Sequence, residues 1–214
     1  MIAPQVAIID YGLGNVKSIA NALTTVGAKT ILTSSKKEIL NADALVLPGV
    51  GAFSHGMEQL KKYDLIDAVY SFVSTNKPFL GICLGMQMMF DRSNEFSKTE
   101  GLGLIKGNVE IIEVDTTKQQ RLPHTGWNNI NTPQCIENWE NTILSKIPNG
   151  TDMYFVHSYA AKPISQDQVL ATTRYYGQEF CSAVMKGKIY GVQFHPEKSA
   201  GSGLQILKSF IDLT

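Results

Sequence analysis

A basic excess is missing from this chain: 19 Lys and Arg face 19 Asp and Glu, for a formal net charge of zero. A nucleic-acid surface draws on such an excess, so that class of function is excluded. Long apolar runs are missing too. No stretch approaches the roughly 20 residues that a membrane-spanning helix requires. Cysteine is scarce, with three in 214 residues and no paired Cys-x-x-Cys spacing. An odd, scattered set argues against a disulfide framework and against a zinc knuckle. The four histidines are too dispersed for a metal site, and no cofactor motif stands out. Met1 to Gln5 lacks the charged and apolar regions of a signal peptide. The expectation is a reduced, cytoplasmic protein. With 43% hydrophobic residues, 214 residues make one domain spanning 1–214 with a sizeable core.

What is present begins with Phe79-Leu80-Gly81-Ile82-Cys83-Leu84-Gly85-Met86-Gln87. An apolar run breaks at Gly-x-Cys-x-Gly and turns into a helical pattern. That is the layout of a nucleophile elbow, with cysteine in the nucleophile position. Gly81 and Gly85 let the backbone turn and neighbouring elements approach. Unpaired N–H groups at the start of the following helix favour an anion, and hence the thiolate of Cys83. A buried free cysteine is otherwise a small hydrophobe; Cys135 and Cys181, without elbow or base around them, are read that way.

The elements around the elbow alternate. Val6 to Ile9 reads as a strand buried on both faces. A helix follows with Asn15 as N-cap and Val16, Ile19, Ala20, Leu23 and Val26 on one face, ended by Gly27. Lys29–Thr33 and Ala44–Leu47 read as strands, and 56–74 as one helix, with His55 in the loop before it. After Gly101 the pattern shifts to short strands, including 109–112, 152–156, 180–185 and 188–194, before a final amphipathic helix over 202–213. The expected fold is α/β: a doubly wound, mostly parallel sheet with flanking helices and additional antiparallel strands. Ligands in such sheets sit beyond the carboxyl ends of the strands, where the loops at Tyr11, Gly49 and Cys83 fall. Gly12-Leu13-Gly14 follows a strand, but the full dinucleotide fingerprint is missing.

A cysteine nucleophile requires a base, and the base an orienting group. Gly191-Val192-Gln193-Phe194-His195-Pro196-Glu197-Lys198 offers both. His195 and Glu197 are two apart, so extended backbone would send their side chains to the same side. Pro196 favours that conformation at His195. Glu197 can then fix the His195 tautomer facing Cys83. Acyl transfer also requires backbone donors for an oxyanion. Leu84 can give one, and the Pro48-Gly49-Val50-Gly51 loop another.

Together, Gly-Ile-Cys-Leu-Gly-Met-Gln and the distal Gly-Val-Gln-Phe-His-Pro-Glu resemble the class I (triad) glutamine amidotransferases. The segments Ile8–Asn15, Leu47–Phe53, Leu122–Asn128 and Tyr154–Tyr159 resemble the branch of glutaminase subunits of imidazole glycerol phosphate synthases. The resemblance runs from the first strand to the last helix. It implies that Cys83 attacks the side-chain amide of glutamine, with His195 and Glu197 completing the triad. Gln87 and Glu95 would hold the amino-acid end of glutamine, with His157, Ser158 and Tyr159 nearby. Gly49, Val50 and Gly51 would lie on the oxyanion strand. Pro123, His124, Trp127, Asn128, Tyr154 and Lys198 would face a separate cyclase subunit, a (β/α)₈ barrel that receives the ammonia in a heterodimer. Thr125 departs from the methionine usual there, a packing change remote from the triad. The rival readings are a silent docking subunit, contradicted by the intact triad residues, and a glutaminase for another pathway, contradicted by Pro-His-x-Gly-Trp-Asn. No domain for the second reaction fits in the chain, so a low activity alone and stimulation by the loaded partner are expected.

Overall fold

The computed structural model describes residues 3–214. Thirteen strands are named in chain order. The first four are β1 (Gln5–Ile9), β2 (Lys29–Thr33), β3 (Ala44–Leu47) and β4 (Phe79–Ile82). Next come β5 (Arg92–Ser93), β6 (Thr99–Glu100), β7 (Gly107–Ile111), β8 (His124–Ile130) and β9 (Thr151–His157). The last are β10 (Tyr159–Pro163), β11 (Val169–Tyr175), β12 (Gln178–Lys186) and β13 (Ile189–Val192). The helices are α1 (Val16–Thr25), α2 (Lys36–Asn41), α3 (Phe53–Lys62), α4 (Ile66–Val73), α5 (Leu84–Met88) and α6 (Ala200–Ile211).

Among the described residues, eleven strands form one sheet in the order β2-β1-β3-β4-β13-β12-β10-β7-β5-β6, with β11 on β12. The five strands from β2 to β13 pair in parallel. Beyond β13 the pairing turns antiparallel through β12, β10 and β7. Strands β8 and β9 form a separate two-stranded ribbon.

Side-chain alternation in β1 explains the doubly wound half. Val6 and Ile8 join one core cluster, with Ile19 and Leu23 of α1 and Leu207 and Phe210 of α6. Ala7 and Ile9 join the other, with Ile39 of α2, Met57 of α3 and Phe72 of α4. A strand covered on both faces has no polar side, which is why these strands read as continuous apolar runs. No helix among the described residues is long and apolar enough to cross a membrane.

Several local expectations change. The stretch over 56–74 is two helices, not one. The first begins at Phe53, so His55 lies in a helix. Asp64 sits between them at φ 55° and breaks the run. Neither glycine nor proline marks the break, so periodicity alone read straight through it. Asn15 holds the N-cap position of α1 but makes no side-chain cap hydrogen bond. Helix α2 escaped the sequence reading because six residues bury only Ile39.

Candidate active site

The elbow begins where β4 ends. Cys83 has φ 54° and ψ −111°, a conformation costing about 1–3 kcal/mol that persists only where surroundings over-determine it. Here they do. The Cys83 N–H extends the parallel ladder to the Val192 carbonyl at 2.8 Å. A Cβ on Gly85 would stand 1.9 Å from the Leu47 carbonyl oxygen, and one on Gly81 2.5 Å from the Met89 sulfur. Both glycines let β3, β4 and α5 close around the turn. Helix α5 has only five residues, so its dipole gives the sulfur little support. The immediate neighbours of the sulfur matter more.

The chief neighbour is His195. Its N–H donates to the Tyr154 carbonyl at 2.9 Å, tying the end of β13 to the ribbon. Extended backbone at His195, with φ −101° and ψ 96°, fits the constraint of Pro196. Strand alternation, however, does not bring Glu197 to His195. Residues Pro196–Lys198 form a turn of 3₁₀ helix, and that turn curls Glu197 back onto the ring. Glu197 Oε1 accepts from His195 Nδ1 at 2.9 Å, with the two side chains 2% and 0% exposed. The Ser199 hydroxyl locks the turn, donating to the His195 carbonyl and accepting the Tyr154 N–H.

His195 Nε2 makes no conventional hydrogen bond among the described residues, though it is buried. Burial opposes a charged ring, but the Cys83 sulfur and the Glu197 carboxylate outweigh it and hold the ring's pKa above the ordinary value. The arrangement favours a protonated His195 ring beside the Cys83 sulfur.

A cavity of about 270 Å³ opens over the sulfur, lined by Cys83, Leu84 and His195, by Val50 and Gly51, and by Gln87, Glu95, Pro123 and Val156 through Tyr159. Thus the triad side of the prediction, most of the oxyanion loop and all five predicted substrate residues converge on one space. Gly49 lies behind it: a Cβ there would meet the Tyr11 hydroxyl at 2.8 Å and Leu84 at 2.9 Å. Tyr11 donates to the Pro48 carbonyl at 2.6 Å and pins the loop's start. That role has no signature in the sequence, because 37 residues separate the partners. Gly51, at φ 102° and in open space, supplies the loop's bend. Leu84 begins α5, where helix geometry leaves its N–H without an intrahelical partner.

Glu95 comes from the far side. Its Oε2 accepts the Phe53 N–H at 2.7 Å, capping α3, whose own N-cap Ala52 cannot. Its other oxygen, Oε1, makes no hydrogen bond among the described residues. Gln87 lines the same cavity. Its Nε2 is already committed to the Tyr159 carbonyl and to Gln193.

The ribbon carries the predicted partner surface. Trp127 and Tyr154 are cross-strand neighbours, with rings 6.1 Å apart, and Lys198 Nζ stands 5.8 Å from the Tyr154 ring centroid. Trp127 is 54% exposed, and Pro123 is exposed too. His124 does not belong to this surface. Strand alternation turns it inward, where it is 3% exposed and stacks on Phe155 and Tyr175. Asn128 shares that inward side, bonding His124 and the Arg174 carbonyl.

A larger cavity, about 450 Å³, lies between Glu110–Glu113 and Gln178–Cys181. It holds no nucleophile–base pair. Cys181 there donates to the Ala183 carbonyl, and burial pushes its thiol up, and no histidine lines that cavity, whereas Cys83 and His195 both line the smaller one. Cys135 is exposed. Among the described residues no group of three or more His, Cys, Asp and Glu could hold a metal ion.

The model of the family described as glutamine amidotransferase class-I matches residues 7–213. Imidazole glycerol phosphate synthase subunit HisH 1 of Legionella pneumophila (strain Lens) is 45% identical over 211 residues, 98% of this chain and 99% of that one. Subunit HisH of Bacillus cereus (strain B4264) is 42% identical over 206 residues, 96% and 93% of the two chains. Among solved structures, that of PurLQS from Thermotoga maritima superposes with a TM-score of 0.72 at 16% identity, covering 99% of each chain; this likeness shows the fold.

Proposed function

The chain belongs to the class-I glutamine amidotransferases, and from that premise we propose how its residues divide the work. The protein is the glutaminase subunit of an imidazole glycerol phosphate synthase, acting in histidine biosynthesis. One observation carries the assignment of roles: Cys83, the Glu197-held His195 and Glu95 line one cavity.

The Cys83 thiolate attacks the side-chain carbonyl carbon of glutamine, forming a C–S bond and an oxyanion. Leu84 N–H and the Gly49-Val50-Gly51 loop stabilise that oxyanion. As the tetrahedral adduct collapses, the C–N bond breaks and imidazolium His195 gives its proton to the departing nitrogen, which leaves as ammonia. Neutral His195 then takes a proton from water, and the resulting hydroxide attacks the thioester. The C–S bond breaks, sulfur regains its electron pair, and glutamate leaves. Glu197 keeps the ring oriented through both transfers. The free Glu95 oxygen pairs with the α-ammonium of glutamine, while His157, Ser158 and Tyr159 wall the substrate.

The ammonia passes to a cyclase subunit docked on Pro123, Trp127, Tyr154 and Lys198. Peptide orientation at Gly49 to Gly51 is the element that the partner controls, since oxyanion donors must point inward to act. The test is glutamate release by the purified chain, alone and with a cyclase subunit carrying its nucleotide. Strong stimulation supports the coupled subunit. Equal, high activity in both removes the coupling, and none in either removes the glutaminase.

A further inference from the structure

The Tyr159 carbonyl oxygen stands where two buried hydrogen-bond chains meet. It accepts His157 Nδ1–H at 2.8 Å and a Gln87 Nε2 hydrogen at 2.9 Å. A carbonyl only accepts, so neither partner is free to choose which atom it presents. Burial pushes the His157 pKa down to about 3. The ring is therefore neutral, with its hydrogen on Nδ1 and an accepting Nε2. His124 Nδ1, 3.1 Å away, must donate to that Nε2. His124 Nε2 is then left to accept from Asn128 Nδ2 at 3.2 Å. Every polarity along this arm follows from the one carbonyl.

The second arm runs to the nucleophile. Gln87 Nε2 gives its other hydrogen to Gln193 Oε1 at 3.0 Å. That contact settles the Gln193 amide: oxygen toward Gln87, NH₂ on the opposite side. Gln193 Nε2 lies 3.7 Å from Cys83 Sγ and donates to it. Reversed, the amide would aim an oxygen at the sulfur and repel a thiolate. Gln193 is fully buried, so no bulk water competes for either end. The Gln193 N–H extends from the end of β13 to the Ser182 carbonyl at 2.9 Å, which holds its backbone as firmly as the chain holds its side chain.

We propose that Gln193 is a positioning residue for the nucleophile: its side-chain NH₂ holds the Cys83 thiolate, and the Tyr159 carbonyl sets the amide's direction through Gln87. The proposal rests on Cys83 being the nucleophile. A donor on sulfur lowers the cost of concentrating charge there in a dry site. It acts before attack, and again when the thioester breaks and sulfur takes back the electron pair. His195, backed by Glu197, faces the same sulfur as a titrating group, and the Tyr11 phenol stands near it. Gln193 differs from both in carrying a fixed dipole with no titration of its own. Gln87, by the same logic, serves the nucleophile's support and not only the wall of the glutamine cavity.

The experiment is the rate of Cys83 alkylation by iodoacetamide against pH in the full chain, read at Cys83 by mass spectrometry because the exposed Cys135 reacts as well. Gln193→Met keeps the length and removes the donor. Its alkylation rate at neutral pH is expected to fall about tenfold, equivalent to a pKa change of one unit. The plateau at alkaline pH should stay in place. Gln87→Met leaves Gln193 present but unoriented, and a smaller fall is expected. Profiles of both variants superimposing on that of the unsubstituted chain would overturn the proposal. If Gln193→Met does not fold, an unchanged profile in folded Gln87→Met overturns it alone. Alkylation does not require glutamine turnover. A shifted profile in a chain without glutaminase activity would therefore keep the role of Gln193 and remove the catalytic reading.

Discussion

On the parallel half of the sheet, the proposed reactive groups are held by backbone. Cys83 follows β4, His195 follows β13, and the two strands pair in register up to Val192 and Ile82. On the β8–β9 ribbon, the exposed groups are held by alternation: Trp127 and Tyr154, mid-ladder, face out, while His124 and His157 at one end of the ladder face in. At the elbow, a Cβ on Gly81 or Gly85 would clash; the ribbon presents Trp127 to solvent. Rigid placement serves bond-making, where an error of an ångström is costly. A ribbon with one wet face suits contact with another protein, where exposed aromatic anchors dominate.

The comparison breaks most sharply at the nucleophile. Cys83→Ala should abolish glutamate release while the far-ultraviolet circular dichroism and thermal midpoint stay near those of the parent. Residual turnover above background would remove Cys83 from the mechanism. His195→Asn should lose about 10²–10⁴-fold in turnover, the range for a general acid–base group, measured as steady-state glutaminase in the activated complex. Gly85→Ala tests the backbone side. With the Leu47 carbonyl 1.9 Å from the added carbon, we expect a loss of about 3 kcal/mol or more, read from urea unfolding. A variant as stable as the parent would show that the elbow can relax.

Acid sharpens the contrast from the ribbon side. Burial holds His124 down to about 4, and burial together with neighbouring His124 and His195 holds His157 down to about 3. Unfolded, both bind protons below about pH 6.5. The stability they confer is therefore complete above that value and falls as pH drops toward 4. Between pH 7 and 5 each should cost up to about 2 kcal/mol. His195 has the opposite sign: its raised pKa gives stability below pH 6.5 that is lost as pH rises through the folded value. Urea unfolding at pH 7 and 5, in the parent and in the His124→Asn, His157→Asn double variant, checks this. An equally steep acid loss in the double variant would place the effect elsewhere.

Trp127→Ala should have the smallest effect on the isolated chain, within about 0.5 kcal/mol in stability, as for surface positions generally. Its consequence should appear in the complex, as weaker stimulation by the loaded cyclase subunit and a smaller change in the KM for glutamine. Full stimulation in this variant would move the contact surface away from the ribbon.

What could be read from residues alone follows from how local each feature is. The elbow is nine consecutive residues whose glycines and apolar run state their own geometry, and the buried strands around it are unbroken because both faces are covered. His195-Pro196-Glu197 was legible as a base with its orienting group, though the 3₁₀ turn that joins them was not, since alternation and a tight turn both bring residues two apart together. The break at Asp64 was hidden for the reverse reason: φ 55° at an aspartate is imposed by packing, with no glycine to announce it.

Sequence by itself determined the elbow cysteine, the His195-Pro196-Glu197 segment, the alternating order of strands and helices and, by resemblance, the residues that gather at the cavity. Only tertiary structure decided which way each side chain faces once strands from distant segments pair. It turned His124 from a surface residue into a buried one, gave Glu95 a helix start 42 residues away to cap, and let one carbonyl, that of Tyr159, set the direction of an amide beside Cys83. A hydrogen bond's polarity depends on every partner along its chain, and those partners meet only when the sheet is assembled.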